Sequence, residues 1–100
     1  MNYEEAALIN NESIQKFELI IDGYRSFIEY KVKGDRIYLM HTEVPKELAG
    51  KGIAGILVRK AFEQLEKDGA EVVPQCSYIL HFLKRNPEWN RIVDEDHRNG

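Results

Sequence analysis

Cys76 stands just past a short apolar run, Val72-Val73-Pro74, and just before residues at helical spacing that begin with Tyr78 and Ile79. A thiol at the start of a helix has its thiolate favoured by the helix dipole, so Cys76 is a candidate nucleophile. Its other reading is a small buried hydrophobe, the commoner fate of a lone cysteine. His41 and Glu43 lie two apart on an apolar strand pattern, so both point to one face. They make a candidate acid–base pair, or else a satisfied histidine beside a strand-end carboxylate. Tyr78 either brings a phenol to the same region or simply buries its ring. Gly50, Gly52 and Gly55 surround Lys51 at the start of an amphipathic run. The first turn of a helix leaves backbone N–H groups without partners, and glycines let a phosphate approach them closely. Segment 50–55 is therefore a candidate pyrophosphate cradle, with Lys51 adding a cation, or a plain strand-to-helix turn. Its spacing fits neither G-x-G-x-x-G nor G-x-x-x-x-G-K-[ST], which disfavours dinucleotide and ATP sites. His41 and Glu43 are too few ligands for a metal, and Cys76 as a third gives only a weak spacing, so none is expected.

These residues need elements to hold them. Ser13 to Ile21 alternates and reads as a strand. Asp22-Gly23 is a hairpin turn, Tyr24 to Lys33 alternates again, and Gly34-Asp35 makes a second tight turn. Ile37, Tyr38, Leu39, Met40 and Val44 make the next strand apolar on both faces, the pattern of a strand buried mid-sheet, which Pro45 ends. Ile53, Ala54, Leu57, Val58, Ala61, Phe62 and Leu65 recur at helical spacing up to the stop at Asp68-Gly69. Ala70 to Pro74 then forms a short strand, which the crossover rule makes parallel to strand 36–44. That places Cys76 and the glycine turn at one crevice, because ligands gather where parallel strands end. A second helix follows with Ser77 as its N-cap and stops at Asn86-Pro87. Trp89, Ile92 and Val93 pack back on the core. Residues 1–12 read as an arm, and 94–100 as a frayed tail. The whole is an α+β chain with an α/β-like core: an antiparallel meander, a β-α-β crossover and a second, C-terminal helix.

With 100 residues there is one domain, able to bury roughly two-thirds of its unfolded surface. A net charge of -3 argues against a nucleic-acid partner. No apolar run approaches the roughly 18 residues that span a membrane. A lone cysteine allows no internal disulfide, and Glu4-Glu5 is wrong for a signal peptide, so a cytoplasmic location is expected. The exposed edge of the first strand leaves monomer or homodimer open.

Taken together, His41-Thr42-Glu43-Val44-Pro45, Gly50-Lys51-Gly52-Ile53-Ala54, Val72-Val73-Pro74-Gln75-Cys76-Ser77-Tyr78 and Asn86-Pro87-Glu88-Trp89 resemble the GNAT superfamily of N-acetyltransferases, in its minimal single-domain form. The likeness spans residues 13–93. Gly52 and Ala54 fit the family's [Q/R]-x-x-G-x-[G/A] pattern, whereas Ala49 stands where Gln or Arg is usual. The resemblance implies acetyl-CoA or CoA as ligand, held by Val44, Pro45, Gly50, Lys51, Gly52, Ile53, Ala54 and Gly55. Its pantetheine arm would lie along the ends of the parallel strands, 42–44 and 72–75, with the thioester near Cys76 and Tyr78. The acceptor is an unidentified amine, small molecule or peptide. Either Glu43 or His41 deprotonates that amine through water and Tyr78 protonates the leaving thiolate, or Cys76 carries the acetyl group first. The Asp22-Gly23 hairpin replaces the two helices that wall the acceptor site in larger members. Two further classes stay open: a non-catalytic CoA-binding or protein-interaction module, and a thiol-reactive protein in which Cys76 forms a mixed disulfide with CoA.

Overall fold

Asp22 and Gly23 both take positive φ, 53° and 81°. Two successive left-handed residues give the turn whose twist matches a hairpin, and aspartate and glycine reach that region cheaply. The turn joins β2 (Lys16–Ile21) to β3 (Tyr24–Lys33), which pairs in turn with β4 (Arg36–Glu43). In the computed structural model, which describes residues 2–97, a fourth antiparallel element precedes them: β1 (Ile9–Asn11), paired with β2. The expected strand 13–21 therefore begins only at Lys16. Gln15, at φ 53°, closes the turn that separates it from β1, so the sheet edge belongs to β1. The helix α1 (Ile53–Lys67) leads to β5 (Glu71–Pro74), which lies parallel to β4, and α2 (Ser77–Arg85) follows. The five strands keep their chain order across the sheet.

Both helices pack on one face. Phe62 of α1 is fully buried, with its ring 5.5 Å from Phe82 of α2, edge to face, and 5.5 Å from Trp89. Beneath them Phe17, Leu19, Ile28 and Leu39 line the inner face of the sheet. This corrects the expectation for β4: only Leu39 of that strand is fully buried, because among the described residues both helices lie on its side of the sheet. Alternation then sorts the remaining side chains. Thr42 pairs with Ile28 and shares the inner face, whereas His41 pairs with Glu29 and Glu43 with Phe27 on the outer one.

The tail is also better anchored than expected. The Asp94 amide donates to the Val72 carbonyl, and the Asp94 side chain is buried beside Arg36 (3.8 Å) and His97 (2.7 Å). Residues 98–100 lie outside the described residues, so that part of the expected fraying is left aside. Because one ring joins both helices, Phe62→Ala should destabilise the fold by about 3–5 kcal/mol in chemical denaturation. A loss below about 1 kcal/mol would mean that α1 and α2 are held some other way.

Candidate functional site

The ladder between β4 and β5 ends early. Its last pair is Leu39 with Pro74, and one further bond runs from the Gln75 amide to the Leu39 carbonyl, 3.0 Å. β4 continues to Glu43 while the other chain turns away into α2. A gap opens between them. A bulge in β4 between its pairings with Glu29 and Tyr30 sits at the start of this divergence.

Cys76 occupies the gap from the β5 side. It is the N-cap of α2, the place expected of Ser77, and its thiol donates to the Thr42 hydroxyl at 3.4 Å. Burial pushes the thiol up, but the Thr42 hydroxyl and the backbone amides of Ile79, Tyr78 and Thr42 outweigh it and leave its pKa below the ordinary thiol value. No side-chain hydrogen bond closes the helix cap, so the amides act by favouring the charged sulfur rather than by binding the neutral one. Thr42 carried no signal of its own as a chemical group. The bulge at Met40 reverses the alternation set by Leu39, so Thr42 turns towards the core and His41 and Glu43 point away.

On the α1 side a cleft of about 230 Å³ runs from Val44 past Leu48 and Ala49 to Gly50, Gly52, Ile53, Ala54, Gly55 and Tyr78. It gathers the expected glycine turn with Val44 and Tyr78, and adds Leu48 and Ala49. Pro45, Lys51 and Cys76 do not line it. The turn is shaped by Gly50 and Gly52, at φ 77° and 72°, with nothing near a Cβ at either position. Glycine is needed there for its conformation, not for room. Gly52 caps α1 without a side chain, and no acidic residue lies in the first turn. The first amide to bond within the helix is that of Ile56, to the Gly52 carbonyl. Among the described residues, the amides of Lys51 to Gly55 meet no acceptor. Burial raises the pKa of Tyr78, against the lowering influence of Arg85, so its phenol keeps its proton at neutral pH. That hydroxyl lies 3.7 Å from where a Cβ at Gly55 would stand.

Lys51 turns aside from the cleft. Its ammonium lies 3.9 Å from an Asp22 carboxylate oxygen and 5.8 Å from the centre of the Tyr3 ring. His41 and Glu43 do come together, Nε2 to Oε2 at 3.4 Å, with both side chains more than half exposed. They stand on the outer face, across β4 from Thr42 and Cys76. Among the described residues no group of three or more His, Cys, Asp or Glu is placed to hold a metal ion, and no helix is long and apolar enough to cross a membrane.

Strand divergence beside an uncapped glycine helix start defines a class that sequence comparison also finds. Residues 16–92 match the family model described as GCN5-related N-acetyl-transferase, and the chain belongs to that family. Protein NATD1 of Bos taurus is 38% identical over 64 residues, covering 63% of this chain and 57% of that protein. Protein NATD1 of Mus musculus is 36% identical over 76 residues, covering 73% and 69%. The chain thus spans little more than half of the first relative's length. The NMR solution structure of a GCN5-like candidate N-acetyltransferase from Staphylococcus aureus superposes over 100% of both chains with a TM-score of 0.67, at 21% identity, a likeness of fold.

Since Thr42 is the side chain that favours the thiolate, Thr42→Val should raise the pKa of Cys76. The pH dependence of thiolate ultraviolet absorbance measures it, with less thiolate in the variant at neutral pH. An identical titration in both proteins would remove Thr42 from the account.

Proposed function

We propose that this chain binds acetyl-CoA and transfers the acetyl group to an amine, with Cys76 as the intermediate carrier. The observation that carries the reading is the run of unclaimed amides from Lys51 to Gly55, opening onto a mainly apolar cleft that leads to Tyr78. Such amides at a helix N-terminus suit a diphosphate, since the dipole and the N–H vectors point the same way. The cleft suits the neutral pantetheine arm beyond it. Family membership agrees with acetyl-CoA as the ligand. A cytoplasmic location, where acetyl-CoA and reduced thiols coexist, goes with this reading.

The Cys76 thiolate attacks the thioester carbonyl. A new carbon–sulfur bond forms, the old one breaks, and the leaving CoA thiolate takes a proton from the Tyr78 phenol, which burial keeps protonated. An acceptor amine then reaches the gap from the uncovered face. There the His41–Glu43 pair is exposed and available to take the amine's proton, through water where needed. Attack on the S-acetyl group forms the amide and returns the Cys76 thiolate, while solvent carries the amine's proton off the His41–Glu43 pair and returns one to the Tyr78 phenolate. Amines fit this position whether small or at the end of a peptide, because the His41 and Glu43 side chains are more than half exposed among the described residues.

That same bareness supports a second reading, a CoA-binding module without transfer. The two readings part on Cys76. Incubation with acetyl-CoA should add one acetyl group to the protein by intact mass. Cys76→Ser should abolish that adduct and lower transfer to an amine panel by about a hundredfold or more, the scale of losing a nucleophile. CoA binding with neither adduct nor transfer would establish the module instead, and unchanged turnover in Cys76→Ser would assign direct transfer to His41 and Glu43.

Gly55 tests the binding site itself. It sits inside α1, where glycine costs roughly 0.5–1 kcal/mol relative to alanine, and a Cβ there meets only the Tyr78 hydroxyl at an ordinary contact distance. Gly55→Ala should therefore raise the unfolding free energy while weakening binding of CoA. NMR titration with acetyl-CoA should move the amide signals of Lys51 to Gly55 in the wild type. If those signals stay put, the nucleotide reading fails.

A further inference from the structure

The hairpin tip reaches the glycine turn. Asp22, held at φ 53° between β2 and β3, brings its carboxylate within 3.9 Å of the Lys51 ammonium, and both side chains are 38% exposed. The Tyr3 ring lies on another side of the same ammonium, within cation–π range at 5.8 Å. Lys51 is the only cation inside segment 50–55, and α1 has no acid of its own in the first turn. The acid beside the open amides comes from a turn some thirty positions earlier in the chain. An anion placed against a helix start is normally stabilising, but this one sits where the phosphates of a nucleotide would need the same cation.

We infer that Asp22 is a built-in competitor for Lys51, and so sets how tightly a diphosphate is held and how fast CoA leaves. The inference rests on the nucleotide reading above and adds an affinity-setting residue to it. In the free protein Asp22 neutralises Lys51. On binding, the diphosphate takes Lys51 over and leaves Asp22 to water. On release, Asp22 recovers the ammonium, so the site never presents a bare cation, and the departing anion meets a carboxylate. The exchange is inexpensive because both partners are well exposed, and an exposed pair of this kind is weak. It still matters to a multiply charged ligand, since a single charge within a Debye length of about 8 Å is felt by every phosphate.

The test is Asp22→Asn, which keeps a residue type that tolerates positive φ. CoA dissociation constants by calorimetry at low salt should fall about three- to tenfold, as expected for removing one unit charge several ångströms from a polyanion, with slower CoA release by stopped flow. In a Lys51→Gln background the same substitution should give a smaller gain, because only direct repulsion remains. At 1 M salt the gain should shrink towards none. Unchanged or weaker binding by Asp22→Asn overturns the inference, as does an equal gain in both backgrounds. If CoA moves no amide of Lys51 to Gly55 in either protein, the nucleotide reading itself fails and the inference falls with it. If those amides move and the affinities are equal, only the role of Asp22 is lost.

Discussion

The constraint on which the rest depends is the last rung between β4 and β5. Pro74 offers no amide to a ladder, so pairing beyond it needs a different residue, and Gln75 supplies one final bond to Leu39. Past that point the chain must leave the sheet or run as an orphan edge. It leaves as α2, and the residue at the departure is Cys76. Moving the rung one residue later would slide the sulfur along β4 and away from Thr42. The placing of the thiol, the Thr42 hydroxyl beside it and the gap between the strands are consequences of one early termination.

Sidedness follows from the same departure. A crossover helix and a helix that begins where its strand stops have little freedom, and here both fall on the face that Phe62 fills. The sheet is left with one dry face and one wet one. Antiparallel sheets bear this readily, with apolar residues alternating inwards and polar ones outwards. As a result, polar groups drawn from a single strand split between the faces. Thr42 serves the thiol on the inside, while His41 and Glu43 meet solvent on the outside. In the transfer reaction proposed above, this split would let donor and acceptor approach the gap from opposite sides without sharing a channel.

Much of this was legible because local signals and topology agreed. Asp22-Gly23, the glycines around Lys51, the helical spacing from Ile53 and the parallel return at Val72-Val73 each have a local cause, and the strands fell into chain order. What escaped were matters of tertiary reach. β1 is one isoleucine and two asparagines that become a strand only because β2 offers an edge. Asp94 looks like any residue of a charged tail, yet the amide bond to Val72 and the nearness of Arg36 draw it inside. Glu18 is buried on the outer side of the sheet with Arg25 at 3.4 Å, and nothing in its alternating neighbours announced that. In the site, strand direction puts the cysteine and the glycine turn at the same end of the parallel pair, but Cys76 sits in the strand gap and does not line the glycine cleft, and the separation of His41 and Glu43 from Cys76 follows from the bulge at Met40. The tie between Lys51 and Asp22 joins two turns by contact, which no periodicity encodes.

The three glycines of the turn carry different weights. Gly50 and Gly52 have left-handed backbones, so the fold itself requires them, and a side chain at either would strain the chain even though space is open. Gly55 is helical, unstrained and touched only by Tyr78, so the free protein gains nothing from it. A residue that lowers helix propensity where packing does not ask for it marks a place whose demands come from outside the chain. The unpaired amides beside it are what every helix start leaves, and an anion is one partner able to meet several of them at once. On the proposed reading, a diphosphate held by those amides close to Gly55 accounts for a glycine that the helix itself does not need.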